Sequence, residues 1–164
     1  MSTVQFGFSY VGLIYLIMLA LPNIIWTKHQ PKGYQEYESK ENKALQLLER
    51  VGQFAVSGLV LMFKDFNVKT WSGWSWWLIL SFSLMLIYEV YWIRYFRSAK
   101  TMMDFYRSLL GIPVPGATLP VVALFLLGVY GKNPYLMLAV IILGIGHMGI
   151  HLTHWREIQD EKSR

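Results

Sequence analysis

No cysteine occurs anywhere in the chain. That excludes disulfides, thiolate metal sites and cysteine nucleophiles, and it leaves the redox compartment undecided. Charge is also scarce: Asp, Glu, Lys and Arg make up 15% of the 164 residues, against about 25% in soluble domains. Residues 1–10 hold no Lys or Arg. A cleaved signal peptide needs a basic start and a small-residue cleavage site, so the chain from Phe6 onward is expected to be a retained first span. No HExxH, nucleophile elbow or phosphate loop is present, and no motif therefore names a reaction. No internal repeat is visible either, so the inverted-repeat design of many transporters is not legible.

What is present is apolar. Hydrophobic residues account for 54% of the chain and aromatic ones for 16%, and they are gathered in long runs. A hydrocarbon core of ~30 Å needs about 20 such residues as a helix. The expected fold is an all-α integral membrane protein, one transmembrane domain made of a five-helix bundle. The spans are expected at about residues 6–26, 44–63, 76–95, 113–130 and 134–155.

Three of these stretches are not plain hydrophobic spans. Pro22 and Asn23 fall in the last turns of the first, where proline either kinks the helix or ends it. The second is short of apolar residues, and Gln46, Glu49, Arg50, Gln53 and Ser57 form a polar stripe at helical spacing, expected to face other helices. The third carries Glu89 well inside, with Tyr88, Tyr91 and Arg94 close by. Ser39 is a plausible N-cap for the second span. Residues 96–110 look amphipathic and are expected to lie along the membrane surface. Pro113, Pro115 and Pro120 are expected to exclude a regular helix through residues 111–116. Trp71, Trp74, Trp76 and Trp77 form an aromatic belt at one interface.

The fifth stretch, AVIILGIGHMGIHLTHWR, carries His147, His151 and His154. Spacings of four and three put them on one helical face. Glycines at 144, 146 and 149 would let a neighbouring helix come close. Ionisable groups in a bilayer are costly and turn toward a bundle interior or an aqueous cavity.

Five spans place the termini on opposite sides. With the N-terminus outside and the C-terminus cytoplasmic, twelve of the fifteen Lys and Arg residues fall inside and three outside, as the positive-inside tendency requires. Counted from the inner helix ends at ~1.5 Å per residue, Asn23, Glu49, Gln53, Glu89, His147 and His151 all lie roughly 4–13 Å deep. The expectation is a polar cavity in the cytoplasmic half of a multi-pass plasma-membrane protein. Glu49, Gln53, Glu89, His147 and His151 are its ligand- or proton-binding groups, and Asn23, Arg50, Tyr88, Arg94 and His154 support them.

Three functions fit such a cavity. One is binding or transport of a small ligand, ion or proton, since histidine exchanges protons near neutral pH. A second is an intramembrane enzyme acting on a lipid or prenyl substrate, with a divalent metal held by Glu49, Glu89, His147 and His151. The third is a structural or accessory subunit of a membrane complex, its polar groups tying helices together. Haem is not expected, because a bis-histidine site wants a histidine from a second helix and only His29, in a loop, is left. The expected partners are the lipid bilayer, a small-molecule or lipid ligand, and a second copy or another membrane protein; no nucleic acid is expected.

Overall fold

A computed structural model describes residues 4–163. The described residues are helical, with no strand beyond two isolated bridges. Five long helices carry the fold: α1 (Tyr10–Thr27), α3 (Lys43–Met62), α4 (Trp76–Phe96), α6 (Pro115–Gly131) and α7 (Pro134–Ser163). Two short ones, α2 (Tyr34–Glu38) and α5 (Met102–Tyr106), interrupt the loops. Three helical stretches are long and apolar enough to cross a membrane: α1, α4 with its leading turn, and α7. α6 is apolar but has only 17 residues.

The long helices close into a ring in the order α1, α3, α7, α6, α4, each packed on the next and α4 returning to α1. Their directions follow from which residues meet. Glu49 meets His147 while Leu45 meets Gly149, so α3 and α7 are antiparallel. Tyr15 meets Ser81 and Asn23 meets Tyr88, so α1 and α4 run the same way. Residues 28–42 and 97–114 and the end of α7 therefore share one end of the ring. The tryptophan-rich loop, residues 63–75, occupies the other.

Helix–helix approach is closest where side chains vanish. A Cβ on Gly52 would lie 2.5 Å from the Leu143 backbone, and one on Gly146 would strike the backbone of Glu49 and Leu45. The two glycines interlock α3 with α7, which is what the glycine run of the fifth stretch predicts. At the ring's centre Tyr15 donates to Ser81 Oγ (2.8 Å), and Ser81 donates to the Ala123 carbonyl (2.6 Å), joining α1, α4 and α6 through buried hydroxyls. Outward-facing positions stay apolar: Ile17, Leu21 and Ile24 on α1, Leu47, Val51 and Phe54 on α3, and Leu138, Ile141 and Ile145 on α7 are all exposed.

Several local expectations are settled here. Pro22 does not end α1, which runs five residues further to Thr27. The Asn23 amide donates to the Leu19 carbonyl in the turn that proline disturbs (2.7 Å). Residues 111–114 are non-helical, with Gly111 and Val114 left-handed, but the expected break through 116 stops short, because Pro115 and Gly116 already form the first turn of α6. A first-turn proline suits that start, since its missing N–H would have no partner there. Pro120, by contrast, sits inside α6.

Two expectations fail. Ser39 closes α2 rather than opening α3, and Asn42 is the N-cap, its side chain accepting from Ala44 N (2.8 Å). Residues 96–110 do not form one surface helix. α4 ends at Phe96, Lys100 takes a left-handed φ of 55°, and only Met102–Tyr106 is helical. Phe105 and Tyr106 are buried in the core. Their burial outweighs the amphipathic pattern, because two large aromatic rings remove more apolar surface than a headgroup-level helix could.

Candidate functional site

All five long helices contribute to one cavity of about 470 Å³. It lies toward the end of the ring that carries residues 28–42 and 97–114. Its wall is mainly apolar and aromatic: Leu19 and Trp26 from α1, Tyr91 and Trp92 from α4, and Ala117 and Leu124 from α6. The short helices close that end. Tyr34 of α2 and Phe105 of α5 meet edge to face at 6.1 Å, and both line the cavity. Trp26 meets Tyr34 at 4.9 Å. A small volume with convergent polar groups on an apolar wall is the usual form of a small-molecule site.

The polar groups come chiefly from α3 and α7. Glu49 Oε1 and His147 Nδ1 are 2.5 Å apart, each side chain about one-fifth exposed. That is a short hydrogen bond. Gln53, one turn on, donates weakly to the same Glu49 oxygen at 3.4 Å. His151 is stacked edge to face on His147, ring centroids 4.6 Å apart. One ligand atom each from Glu49, His147 and His151 lie within 4.8 Å of one another. These three could hold a metal ion, and no cysteine competes for it. On the opposite wall Asn23 donates to the Tyr88 hydroxyl at 3.0 Å, and both line the cavity.

Behind His151 runs a second polar chain. The Tyr106 hydroxyl sits 2.9 Å from Nδ1 of His151 and 2.9 Å from Nδ1 of His154. His154 Nε2 faces Glu41 Oε1 at 3.4 Å. Glu41, in the loop before α3, also accepts from Gln46 Nε2 at 3.0 Å. Burial raises the Glu41 carboxyl above its ordinary value, and the Gln46 hydrogen bond works against that.

The expected site residues are thus only partly brought together. Glu49, Gln53, His147, His151, Asn23 and Tyr88 line the cavity. Glu89 does not; it is one residue past Tyr88, about 100° around α4, and its Oε1 is buried with no hydrogen-bond partner among the described residues. Arg50 is exposed, likewise one position around from Glu49. Arg94 serves the loop instead: its guanidinium donates to the carbonyls of Ser108 (2.8 Å) and Arg107 (2.6 Å) and lies over Tyr91. His154 is buried behind the wall. The expected shared depth of Glu49 and Glu89 is not enough, because depth says nothing about the angle at which a residue leaves its helix.

Sequence reasoning passed over Glu41, Tyr34, Phe105 and Tyr106. The only trace of the three aromatic residues is aromatic density within residues 28–43 and 96–110, and nothing local marks Glu41 as a neighbour of His154. Among the tryptophans, Trp74 does more than sit at an interface: its indole N–H donates to the Tyr130 carbonyl at 3.0 Å, fastening the loop to the end of α6. Comparisons with protein-family models, with curated proteins and with solved structures find no match to this chain.

Proposed function

We propose that this is a five-span plasma-membrane protein, N-terminus outside and C-terminus cytoplasmic, whose inner-half cavity binds a small, largely apolar ligand by one polar group. Support for five spans comes from the two helices that miss on length or composition. The polar residues of α3 that lower its hydropathy include Glu49, Gln53 and Ser57, which line the cavity, while Leu47, Val51 and Phe54 face outward. α6 is short, yet its 17 residues reach about 26 Å, and it packs on both α4 and α7. Orientation rests on the basic loops: residues 28–43, 94–107 and 156–164 carry most of the Lys and Arg.

The observation that carries the ligand reading is the Glu49–His147 pair set in the wall of an otherwise mostly apolar cavity. A bare ion path would need polar groups along its length. Here the ionisable groups Glu49, His147 and His151 are concentrated at one side, and the opposite wall offers only the neutral Asn23–Tyr88 pair, as in a site that orients a ligand head while its body is buried. The head meets Glu49 and His147, and the body lies against Trp26, Tyr91, Trp92 and Phe105.

The test is a thermal-stability panel in detergent. Compounds with one apolar body and different heads, an amine, an alcohol, a carboxylate and a methyl group, are compared. Specific ligands raise Tm with concentration, because only the folded state binds them. The expected result is stabilisation that depends on the head in the parent protein and loses that dependence in Glu49→Gln. Ala20→Phe, which narrows the cavity from α1, should weaken every head alike. Equal stabilisation by all heads, or head dependence that survives Glu49→Gln, would overturn the reading.

A further inference from the structure

We infer that Glu49, His147 and His151 form a binding site for one divalent metal ion of the zinc class, facing the cavity, with Tyr106 fixing the ligating nitrogen of His151. The inference deepens the ligand reading, since the metal would be what meets the ligand's polar head.

Two histidines four residues apart on one helix and a carboxylate from a neighbouring helix are a common donor set for zinc, with a fourth position left for water or ligand. Nitrogen and carboxylate donors without sulfur select zinc and its borderline neighbours over softer ions. The three donor atoms already lie within 4.8 Å of one another. Zinc–ligand bonds of ~2.0–2.2 Å at tetrahedral angles put donors about 3.3–3.5 Å apart. Rotation of side chains covers the difference, with no helix movement. The helices are in any case locked at this level, Gly146 against the Glu49 backbone and Gly52 against Leu143.

The hydrogen-bond chain behind the cluster decides which nitrogen of His151 is free. The Tyr106 oxygen lies between two Nδ1 atoms, each at 2.9 Å. A hydroxyl has one proton, so it donates to one ring and accepts from the other. If it donates to His151, His154 must carry its proton on Nδ1, and a bare Nε2 then faces the Glu41 carboxylate at 3.4 Å. Lone pair against carboxylate is repulsive. In the opposite arrangement His151 Nδ1–H donates to Tyr106, Tyr106 donates to His154 Nδ1, and His154 Nε2–H faces Glu41. The Glu41 charge then faces an N–H instead of a lone pair, although the 3.4 Å approach is not aligned as a hydrogen bond, and His151 is left with a bare Nε2. His151 lines the cavity, and Nε2 has no protein hydrogen bond among the described residues. A histidine whose far nitrogen is held by a hydrogen-bond partner is the usual arrangement for a metal ligand.

The test uses the full chain, purified in detergent without a polyhistidine tag, stripped with chelator and titrated with zinc by calorimetry. The expected result is one equivalent bound, abolished in Glu49→Gln and in His151→Gln. Tyr106→Phe should keep the stoichiometry and weaken the affinity about 10–100-fold, the usual effect of removing such a partner. His29→Gln, in the loop after α1, should bind like the parent. X-ray absorption of the zinc-loaded parent needs no variant: it should show nitrogen and oxygen donors with the outer-sphere scattering of two imidazoles. No zinc bound by the parent, unchanged binding in His151→Gln, or a spectrum without imidazole scattering would each overturn the inference. Failure here, with head-dependent Tm shifts intact in the stripped protein, would leave the ligand reading standing and remove only the metal.

Discussion

Single residues at the closed end of the ring set how α5 is held. Thr101 and Asp104 cap each other: Thr101 N and Oγ1 donate to Asp104 Oδ2 at 3.1 and 2.9 Å, and Asp104 N donates back to Thr101 Oγ1. The Thr101 backbone N–H, more than any other group, holds the Asp104 carboxyl below its ordinary value. A carboxyl depressed on folding contributes stability above its unfolded pKa of about 3.9 and loses it as pH falls through the folded value. The difference in stability between the parent and Asp104→Ala should therefore be present at pH 6 and shrink below pH 4. Denaturation in detergent at the two pH values reads this out, and an undiminished difference in acid would show that the carboxylate charge is not what holds the turn. Glu89 and Arg50 mark the other side of the residue scale. Each is one position around its helix from a residue that lines the cavity, and one position is enough to take a charge out of the site.

Between α3 and α7 the decisive feature is the interlocked pair of glycines. Gly146 precedes His147, and its missing side chain leaves room for the backbone of Glu49. Gly146→Val should force the two helices apart. Overpacking of this kind costs about 1–3 kcal/mol, and here it also pulls Glu49 from His147, so zinc affinity and head selectivity should fall with stability. Gly58, also on α3 but with open space around a Cβ, gives the comparison: Gly58→Ala should be neutral or slightly stabilising, since alanine favours helix over glycine by about 1 kcal/mol. Thermal denaturation of the two variants side by side checks this. Equal losses would show that the close approach at Gly146 is not a determinant of the α3–α7 packing. The short helices α2 and α5 act at the same scale. Tyr91 donates to the Phe105 carbonyl (2.8 Å) and Tyr95 to that of His29 (2.7 Å), so α4 holds both loops over the cavity.

For the whole molecule, the testable quantity is which face each end of the ring presents. A chain without cysteine is suited to labelling at introduced ones. Asn67 is a poor position, because its side chain accepts from Tyr10 N (2.9 Å) and secures the start of α1. Thr70, exposed in the same loop, and Ser163, exposed at the end of α7, are better. Thr70→Cys should react with an impermeant thiol reagent on intact cells, and Ser163→Cys only after permeabilisation. The reverse pattern, or both labelled from one side, would overturn the orientation and the cytoplasmic placing of the cavity with it.

The helices were legible from local sequence patterns alone. Apolar runs of about 20 residues, prolines at helix starts and a histidine repeat of four and three are local patterns, and they located the five long helices to within about four residues at each end except the last, which runs on from the expected 155 to Ser163. The shared face of His147 and His151 was legible too, because a helical period fixes which residues of one helix share a face, whereas the expected meeting of Glu49 with Glu89 was not: Glu49 meets His147, and Glu89 lies outside the cavity wall. The tertiary structure alone decided the ring order, and with it which faces meet. The angle between Tyr88 and Glu89 matters only once α4 has been placed against α1 and α6. Tyr106 is 45 and 48 positions from the histidines it joins, and contacts at such separations depend on packing that no local period encodes. The amphipathic reading of residues 96–110 failed for the same reason: a surface and a cavity both offer an apolar side, and only the space left between α2, α4 and α7 drew Phe105 and Tyr106 inward.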